Sequence, residues 1–450
     1  MRMHFIGVGG SGMSAVAHLW AARGASVTGT DRKRSAYFES LEGSGLDVRV
    51  GEDPSLVEGA DVVVISTAVR ETNPELARAR ELGITVWHRS EALVAALEGV
   101  TLAAVAGSHG KTTTSAMVAT ALHGAGVDAS FAVGARVFGV EGAVAGGYAG
   151  SSGIGVVEAD ESDGSFLRYR PAVGVITNIE ADHFDRYHDL AALHEAFVEF
   201  ARSCGTVIVC VDDPGARAVA DAVRADTRVI AYGAEPSREP DVLVTEEDVV
   251  RDGVARPLSL PLPGAHNRLN AAAAWACAVE LGADPERAIA ALARYAGTGR
   301  RFQLRGEAAG VRVIDDYAHH PTEVAALLAA ARGAGVGHMV VLFQPALFTR
   351  TQALAREFGA ALSVADADVV LAPVHGDRED PIPGVSSQLI ADAVALQAGQ
   401  TLELADSLED AASRAAALAK PGSVVFTVGS GTVTNAAGWI LDALEARADA

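Results

Sequence analysis

The residues best suited to chemistry fall into a few short stretches of the chain. Gly107-Ser108-His109-Gly110-Lys111-Thr112-Thr113-Thr114 sets a Gly-Lys-Thr step between an apolar run and a helical pattern. That is the arrangement of a phosphate loop. Backbone N–H groups cradle phosphates, the Lys111 ammonium reaches the terminal oxygens, and the Thr112 hydroxyl can ligate Mg²⁺. The full G-x-x-x-x-G-K-[ST] pattern is not met, because Val105 stands five residues before Gly110. Lysine is otherwise confined to Lys33 and Lys420, so a lysine here points to a need for a compact ammonium. ATP is the expected ligand.

Carboxylates follow in the same region. Glu158-Ala159-Asp160-Glu161-Ser162-Asp163 comes after the apolar run 154–157, and Thr177-Asn178-Ile179-Glu180-Ala181-Asp182-His183 after the run 173–176. Acidic residues and a histidine at strand C-termini sit where a doubly wound sheet gathers its ligand. Glu158 and His183 are therefore candidate Mg²⁺ ligands, with Glu161 a weaker one.

Three further stretches carry grouped polar residues. Gly264-Ala265-His266-Asn267-Arg268-Leu269-Asn270 opens a helix, where Asn also serves as a cap. Gly299-Arg300-Arg301-Phe302 places adjacent arginines, able to clamp phosphates, in a glycine break. Asp315-Asp316-Tyr317-Ala318-His319-His320-Pro321-Thr322-Glu323 gathers ionisable groups after the apolar run 311–314 and before a helix with proline in its first turn.

Near the start, Gly7-Val8-Gly9-Gly10-Ser11-Gly12 fits G-x-G-x-x-G, directly after one strand and opening a helix. Glycines there let the backbone approach a diphosphate at a positive helix N-terminus. Asp31 follows the second strand, where a ribose-binding carboxylate belongs. The pattern does not separate a nicotinamide dinucleotide from another diphosphate ligand.

The elements that must hold these groups alternate. Strands are expected at 5–8, 26–30, 62–65, 84–87, 102–106, 154–157, 173–176, 311–314, 339–343, 369–372 and 424–428. Helices are expected at 11–23, 113–123, 267–281 and 285–294. This βαβ pattern predicts mostly parallel sheets with helices on their faces, an α/β fold. Breaks near Glu98-Gly99 and in Tyr295-Ala296-Gly297-Thr298-Gly299 divide the chain into three units, 1–99, 100–297 and 298–450. The length of 450 residues suits that number.

Composition narrows the function classes. The chain is 49% hydrophobic and 21% charged, with 36 basic and 57 acidic residues and a net charge of −21. Such a field opposes non-specific nucleic-acid binding and docking on an anionic membrane, so an anionic ligand must be held by local groups. The three cysteines, Cys204, Cys210 and Cys277, form no metal pair and no disulfide framework. Cys210 and Cys277 read as small buried apolar residues. No apolar stretch reaches the ~20 residues of a membrane span, and the N-terminus is unlike a signal peptide. A soluble, cytoplasmic protein is expected, monomeric or homodimeric.

Taken jointly, Gly107–Thr114, Glu158–Phe166, Asn178–Tyr187, His266–Asn270, Gly297–Phe302 and Asp315–Glu323 resemble the signatures of the Mur ligases, ATP-dependent enzymes of peptidoglycan precursor synthesis. The resemblance covers essentially the whole chain. Within the family the chain is most similar to the branch that adds L-alanine to UDP-N-acetylmuramate. The resemblance implies a Rossmann-like first domain that holds the UDP of the substrate rather than NAD, through Gly9, Gly10, Ser11, Gly12, Met13, Asp31, Ser66 and Arg89. It implies a central P-loop-type ATPase domain in which Gly107, Ser108, His109, Gly110, Lys111, Thr112 and Thr113 bind ATP. There Thr112, Glu158 and His183 would hold Mg²⁺, and His266 and Asn267 would meet the adenine side. It implies a Rossmann-like C-terminal domain whose Arg301, Asp316 and Tyr317 complete the nucleotide site, with His319 and Arg350 near the incoming amino acid. The residues implied to take part in catalysis are Lys111, Glu158, His183, His319 and Arg350.

Some relatives carry a carbamylated lysine beyond the counterpart of His183. The stretch 193–203 has no lysine, in keeping with the alanine-adding branch. One departure concerns specificity. That branch usually reads Gln-Pro-His-Arg-(aromatic)-Thr-Arg-Thr in its third domain, whereas this chain reads Gln344-Pro345-Ala346-Leu347-Phe348-Thr349-Arg350-Thr351. The family's first Arg there helps hold the substrate carboxylate, and Arg350 remains for that work. The alternatives are a ligase that joins a whole tripeptide to the same sugar nucleotide and a Mur-type ligase with altered amino-acid specificity.

Overall fold

The computed structural model describes residues 1–162, 164–181, 187, 189–364, 367–377, 379–397 and 399–448. Valine- and isoleucine-rich runs form three sheets, and alanine-rich helices cover them. The first sheet is wholly parallel, with strands in the order Asp47–Val50, Ser26–Asp31, Arg2–Ile6, Val62–Ile65 and Thr85–His88. Its strand order reverses on either side of Arg2–Ile6. That switch point opens a crevice at the strands' C-terminal ends, where the glycine loop emerges.

The second sheet has ten strands. Its parallel centre runs Arg228–Gly233, Thr206–Cys210, Val173–Ile176, Thr101–Ala106, Ile154–Glu158 and Ser130–Ala132. Val242–Val244 extends one side in parallel, and the antiparallel strands Asp248–Arg251 and Val254–Pro257 finish it. Gly147–Tyr148 closes the other edge. Thr101–Ala106 lies between Val173–Ile176 and Ile154–Glu158, so the loops after all three strands share one end of the sheet.

The third sheet runs Gln303–Ala308, Val311–Asp316, Val424–Val428, Met339–Phe343, Ala367–Leu371 and Leu402–Leu404, parallel except for its first strand. It is packed on both faces, with Phe343, Phe358 and Phe426 in one core layer and Val313, Leu342 and Ile440 in the other. Burial on both faces explains why Met339–Phe343 is an unbroken apolar run and why its neighbours are mostly apolar.

The chain forms two compact units. Residues 1–261 with 266–298 carry the first two sheets, and residues 262–265 with 299–450 carry the third. Within the first unit one continuous core joins Phe5, Phe38 and Leu93 to Phe166, Phe197 and Phe200. All three cysteines are buried and free. Burial pushes the Cys204 thiol up to about 12 and Cys210 up to about 11, so neither is a nucleophile at neutral pH. Among the described residues no helix is long and apolar enough to cross a membrane.

Several strand boundaries differ from the sequence reading, and two of the differences bear on the candidate site. The strand expected at 5–8 is Arg2–Ile6, because the chain turns at Gly7, whose φ is +77°. The strand expected at 311–314 runs on through Asp315 and Asp316, whose backbones pair with Thr427 and Val428. Both carboxylates thus belong to the sheet itself.

Candidate functional site

Helix starts separate structural ends from ligand-ready ones. Helices beginning at Ala36, Pro74, Leu190, Pro214, Pro285 and Leu408 follow Ser35, Asn73, Asp189, Asp213, Asp284 and Ser407, whose side chains accept a first-turn N–H. Helices Ser11–Ala22 and Lys111–Gly124 instead follow Gly10 and Gly110 with no side-chain cap. Their first-turn N–H groups have no acceptor inside the helix and carry the positive end of its dipole.

At the first of these ends lies a cavity of about 390 Å³. Gly7, Gly10, Met13, Asp31, Ser66, Arg70 and Asn73 are among the residues lining it. The Gly9 N–H donates to Asp31 Oδ2 at 2.9 Å, and Ser35 Oγ donates to the Gly9 carbonyl at 2.7 Å. A Cβ on Gly9 would come within 3.0 Å of both oxygens. Arg89 lies against Gly12, where a Cβ would stand 2.0 Å from its Nη1. The same guanidinium's charge acts on Asp160 of the second sheet. Arg89 therefore connects the glycine-loop helix to the acidic loop within one unit.

The second end is the loop 107–110. Gly107 has a φ of +134°, and a Cβ there would meet Thr177 Oγ1 at 2.0 Å, so only glycine fits. The loop is pinned to the strand beside it. The Ser108 N–H donates to the Asn178 carbonyl, the His109 N–H to Asn178 Oδ1, and Thr177 Oγ1 to the His109 carbonyl at 2.6 Å. His109 Nε2 lies 3.1 Å from Glu180 Oε2.

Lys111 opens the helix and folds back over the loop. Its Nζ donates to the Gly107 carbonyl at 2.7 Å and lies 2.9 Å from a Glu161 oxygen. Burial works against its charge. The carboxylates of Glu161, Asp160 and Glu158 more than offset that and hold its pKa above the ordinary lysine value. Thr112 Oγ1 donates to Glu158 Oε1 at 2.8 Å, and the Gly134 N–H donates to Glu158 Oε2 at 2.7 Å. A hydroxyl and a carboxylate are brought together beside the ammonium. His183, with Asp163 and Asp182, lies outside the described residues.

His266 is exposed at the start of helix Ala265–Glu280, and Asn267 is buried. Asn270, not singled out as a site residue from the sequence, faces the loop, since a Cβ on Gly110 would come within 2.9 Å of its Oδ1. The available signal was its spacing, three residues beyond Asn267 on one helical face. Gly134 and the pairing of Glu161 with Lys111 were also not anticipated.

The other unit gathers its own polar group. Arg301 lies over the Tyr317 ring, 5.2 Å from its centroid. Both oxygens of buried Asp316 accept backbone N–H groups, from Phe302 at 2.7 Å and Ala318 at 2.8 Å. Burial pushes the Asp316 carboxyl up to about 6 despite the opposing Arg301 charge and those two hydrogen bonds. His319 Nδ1 lies 3.1 Å from Glu323 and 3.0 Å from the Tyr317 carbonyl. Arg350 is buried in helix Phe348–Leu362. Ahead of it Leu347 has a φ of +70°, and Ala346 is bridged through the backbone to His375.

Three family models match the chain: the Mur ligase family catalytic domain over residues 2–100, the Mur ligase middle domain over 105–278, and the Mur ligase glutamate ligase domain over 300–431. The chain belongs to the Mur ligase family. Among Mur ligases, it is 49% identical to a UDP-N-acetylmuramate–L-alanine ligase from Kineococcus radiotolerans, over 99% of this chain and 97% of that one. It is 44% identical to the Streptomyces griseus protein of the same name, over 98% and 97%. It is also similar to the crystal structure of the UDP-N-acetylmuramate–alanine ligase from Thermotoga maritima, with a TM-score of 0.82, 26% identity and coverage of 99% and 100%. A murein peptide ligase from Psychrobacter arcticus shares the fold, with a TM-score of 0.74 at 23% identity and 99% coverage of each chain. The expected Mur ligase membership and three-domain α/β fold are met, and Mur ligases use ATP.

Proposed function

We propose that this Mur ligase joins L-alanine to the lactyl carboxylate of UDP-N-acetylmuramate at the expense of ATP, in the cytoplasm, for peptidoglycan precursor synthesis. The observation that carries this reading is the cluster at the uncapped start of helix Lys111–Gly124, where Lys111, Glu161, Thr112 and Glu158 converge beside first-turn N–H groups that no cap side chain accepts. Domain boundaries near residues 99 and 297 fit the three sheets.

A carboxylate is a poor acylating agent, because its leaving group would be oxide. In the proposed chemistry one lactyl carboxylate oxygen attacks the γ-phosphorus, and the bridging oxygen departs with ADP. The resulting acyl phosphate is attacked at carbon by the amine of L-alanine. The amine loses a proton, and phosphate leaves from the tetrahedral intermediate carrying one original carboxylate oxygen. The protein's part is to position reactants and to neutralise charge.

The residues divide that work. The Gly9–Gly12 loop and the adjoining cavity hold the UDP part, with Asp31 and Ser66 in its wall. Arg89 stands between that loop and the acidic loop, on the path a substrate reaching from one to the other would take. The 107–110 backbone and the first-turn N–H groups hold ATP phosphates, and Lys111 meets the transferring phosphoryl group. Thr112 and Glu158 offer hard oxygen donors 2.8 Å apart, a set that fits Mg²⁺, and His183 is the third proposed ligand. Mg²⁺, when bound, offsets charge on the phosphate oxygens. His266 and Asn267 serve the adenine end, Arg301, Asp316 and Tyr317 the nucleotide, and His319 and Arg350 the amino acid.

Oxygen labelling tests the route. With ¹⁸O in the lactyl carboxylate, one labelled oxygen should appear in the released phosphate. Unlabelled phosphate formed alongside the amide would exclude the acyl phosphate.

A further inference from the structure

The turn Gly299–Phe302 is held more firmly than a connection needs. Arg300 and Phe302 have φ of +59° and +49°, left-handed values that glycine adopts freely and these side chains do not. A turn serving only to join a helix to a strand would relax with glycine at either position. Instead the conformation is fastened from three sides. The Arg300 N–H donates to Gln303 Oε1 at 2.8 Å, the Phe302 N–H to Asp316 Oδ2 at 2.7 Å, and the Tyr317 N–H to the Arg300 carbonyl at 2.8 Å.

The Arg300 side chain is the fourth fastening. Its Nε donates to Asp315 Oδ2 at 3.2 Å, and its terminal nitrogens donate to the Ser430 and Gly429 carbonyls. Asp315 has no solvent exposure. Its oxygens also accept from Thr427 Oγ1 and Thr434 Oγ1, each at 2.7 Å, and Arg305 lies 3.6 Å away. Arg300 then lies over Tyr317, 4.8 Å from the ring centroid, beside Arg301 on the same ring.

We propose that Asp315 and Arg300 are positioning residues for the nucleotide end of the reaction. Asp315 neutralises and orients Arg300. Arg300 in turn sets the left-handed turn and the Tyr317 ring that fix where Arg301 presents its charge to a phosphate. Two adjacent guanidiniums share one aromatic ring: Arg300 is paired with buried Asp315, and Arg301 lies 3.8 Å from Glu323. This rests on the reading that Arg301 and Tyr317 meet the nucleotide.

The test compares R300K, D315N and the milder T434V with R301A in the full-length enzyme, reading KM for ATP, KM for UDP-N-acetylmuramate and Tm. Loss of a charged hydrogen bond predicts a rise in KM for ATP of about tenfold or more in R300K and D315N, with a smaller rise in T434V. KM for the sugar nucleotide should stay within about twofold, the expected response if the changed contacts act only on the nucleotide end. A fall in Tm with unchanged KM for ATP in all three would reduce the pair to a structural clamp and overturn the proposal. Should R301A itself leave KM for ATP unmoved, the underlying nucleotide reading fails and takes the proposal with it. Should R301A raise KM for ATP while the other three do not, only the positioning role fails.

Discussion

Lys111 and Glu161 illustrate what a single pair can hold apart. The ammonium is tethered by a nearly buried carboxylate and by the Gly107 carbonyl, so it is charged and aimed before any phosphate arrives. K111M should lower ATP turnover by at least about 10³-fold, the scale of losing a charge aimed at the transition state. It should also destabilise the fold by about 3–5 kcal/mol, because Glu161 stays buried without its ammonium. Adding E161Q should restore most of the stability and none of the turnover, as thermal melts and a coupled ADP assay would show. A second residue-scale prediction concerns Asp316. Its folded pKa of about 6 lies above the ordinary 3.8. Its contribution to stability is therefore complete below about pH 3.8 and lost as pH rises through 6. D316N removes that titration, so the Tm of wild type minus that of the variant should fall from pH 4 to pH 7. A gap independent of pH would contradict the burial argument. The loop around Lys111 was legible in the sequence because glycine, lysine and threonine are consecutive. Its partner was not, because fifty residues separate Lys111 from Glu161 and only the sheet joins them.

Elements were legible where burial is simplest. Runs 62–65, 173–176, 339–343 and 424–428 match their strands residue for residue, since a strand covered on both faces is mostly apolar. The reading missed the short strands Ser130–Ala132, Asp248–Arg251 and Val254–Pro257 toward the sheet's margins, whose mixed residues carry no such signal. It stopped two residues early at Asp315, because a carboxylate inside a central strand contradicts the apolar pattern. That exception marks the part of the sheet that orders the Arg300 turn. The strand–loop–helix unit 101–124 is the element to which the proposal assigns phosphate binding. Gly107 cannot carry a side chain there. G107A combines backbone strain with a collision against Thr177, and should cost roughly 2–6 kcal/mol and abolish nucleotide-induced stabilisation. A melt with and without ATP checks both. A stable variant still stabilised by ATP would contradict this account of the loop.

On the scale of the molecule, one hydrophobic core runs through the first two sheets, and the third sheet has cores of its own on both faces. Residues 299–450 should therefore fold alone, with a cooperative urea transition followed by circular dichroism. A gradual, non-cooperative loss of signal would show that they depend on the rest of the chain. Against a net charge of −21, the proposal has the two anionic substrates drawn in by local groups, by uncapped helix starts and by Lys111, Arg89 and Arg301. The amino-acid end carries the clearest departure from the family pattern, with Ala346 and Leu347 where the alanine-adding branch has His and Arg. Measuring phosphate release from ATP with UDP-N-acetylmuramate and, in turn, L-alanine, glycine, L-serine or the stem tripeptide bears on the central claim most directly. The account predicts release that requires both the sugar nucleotide and L-alanine. Release with another acceptor in preference to L-alanine, or none with any, would contradict it.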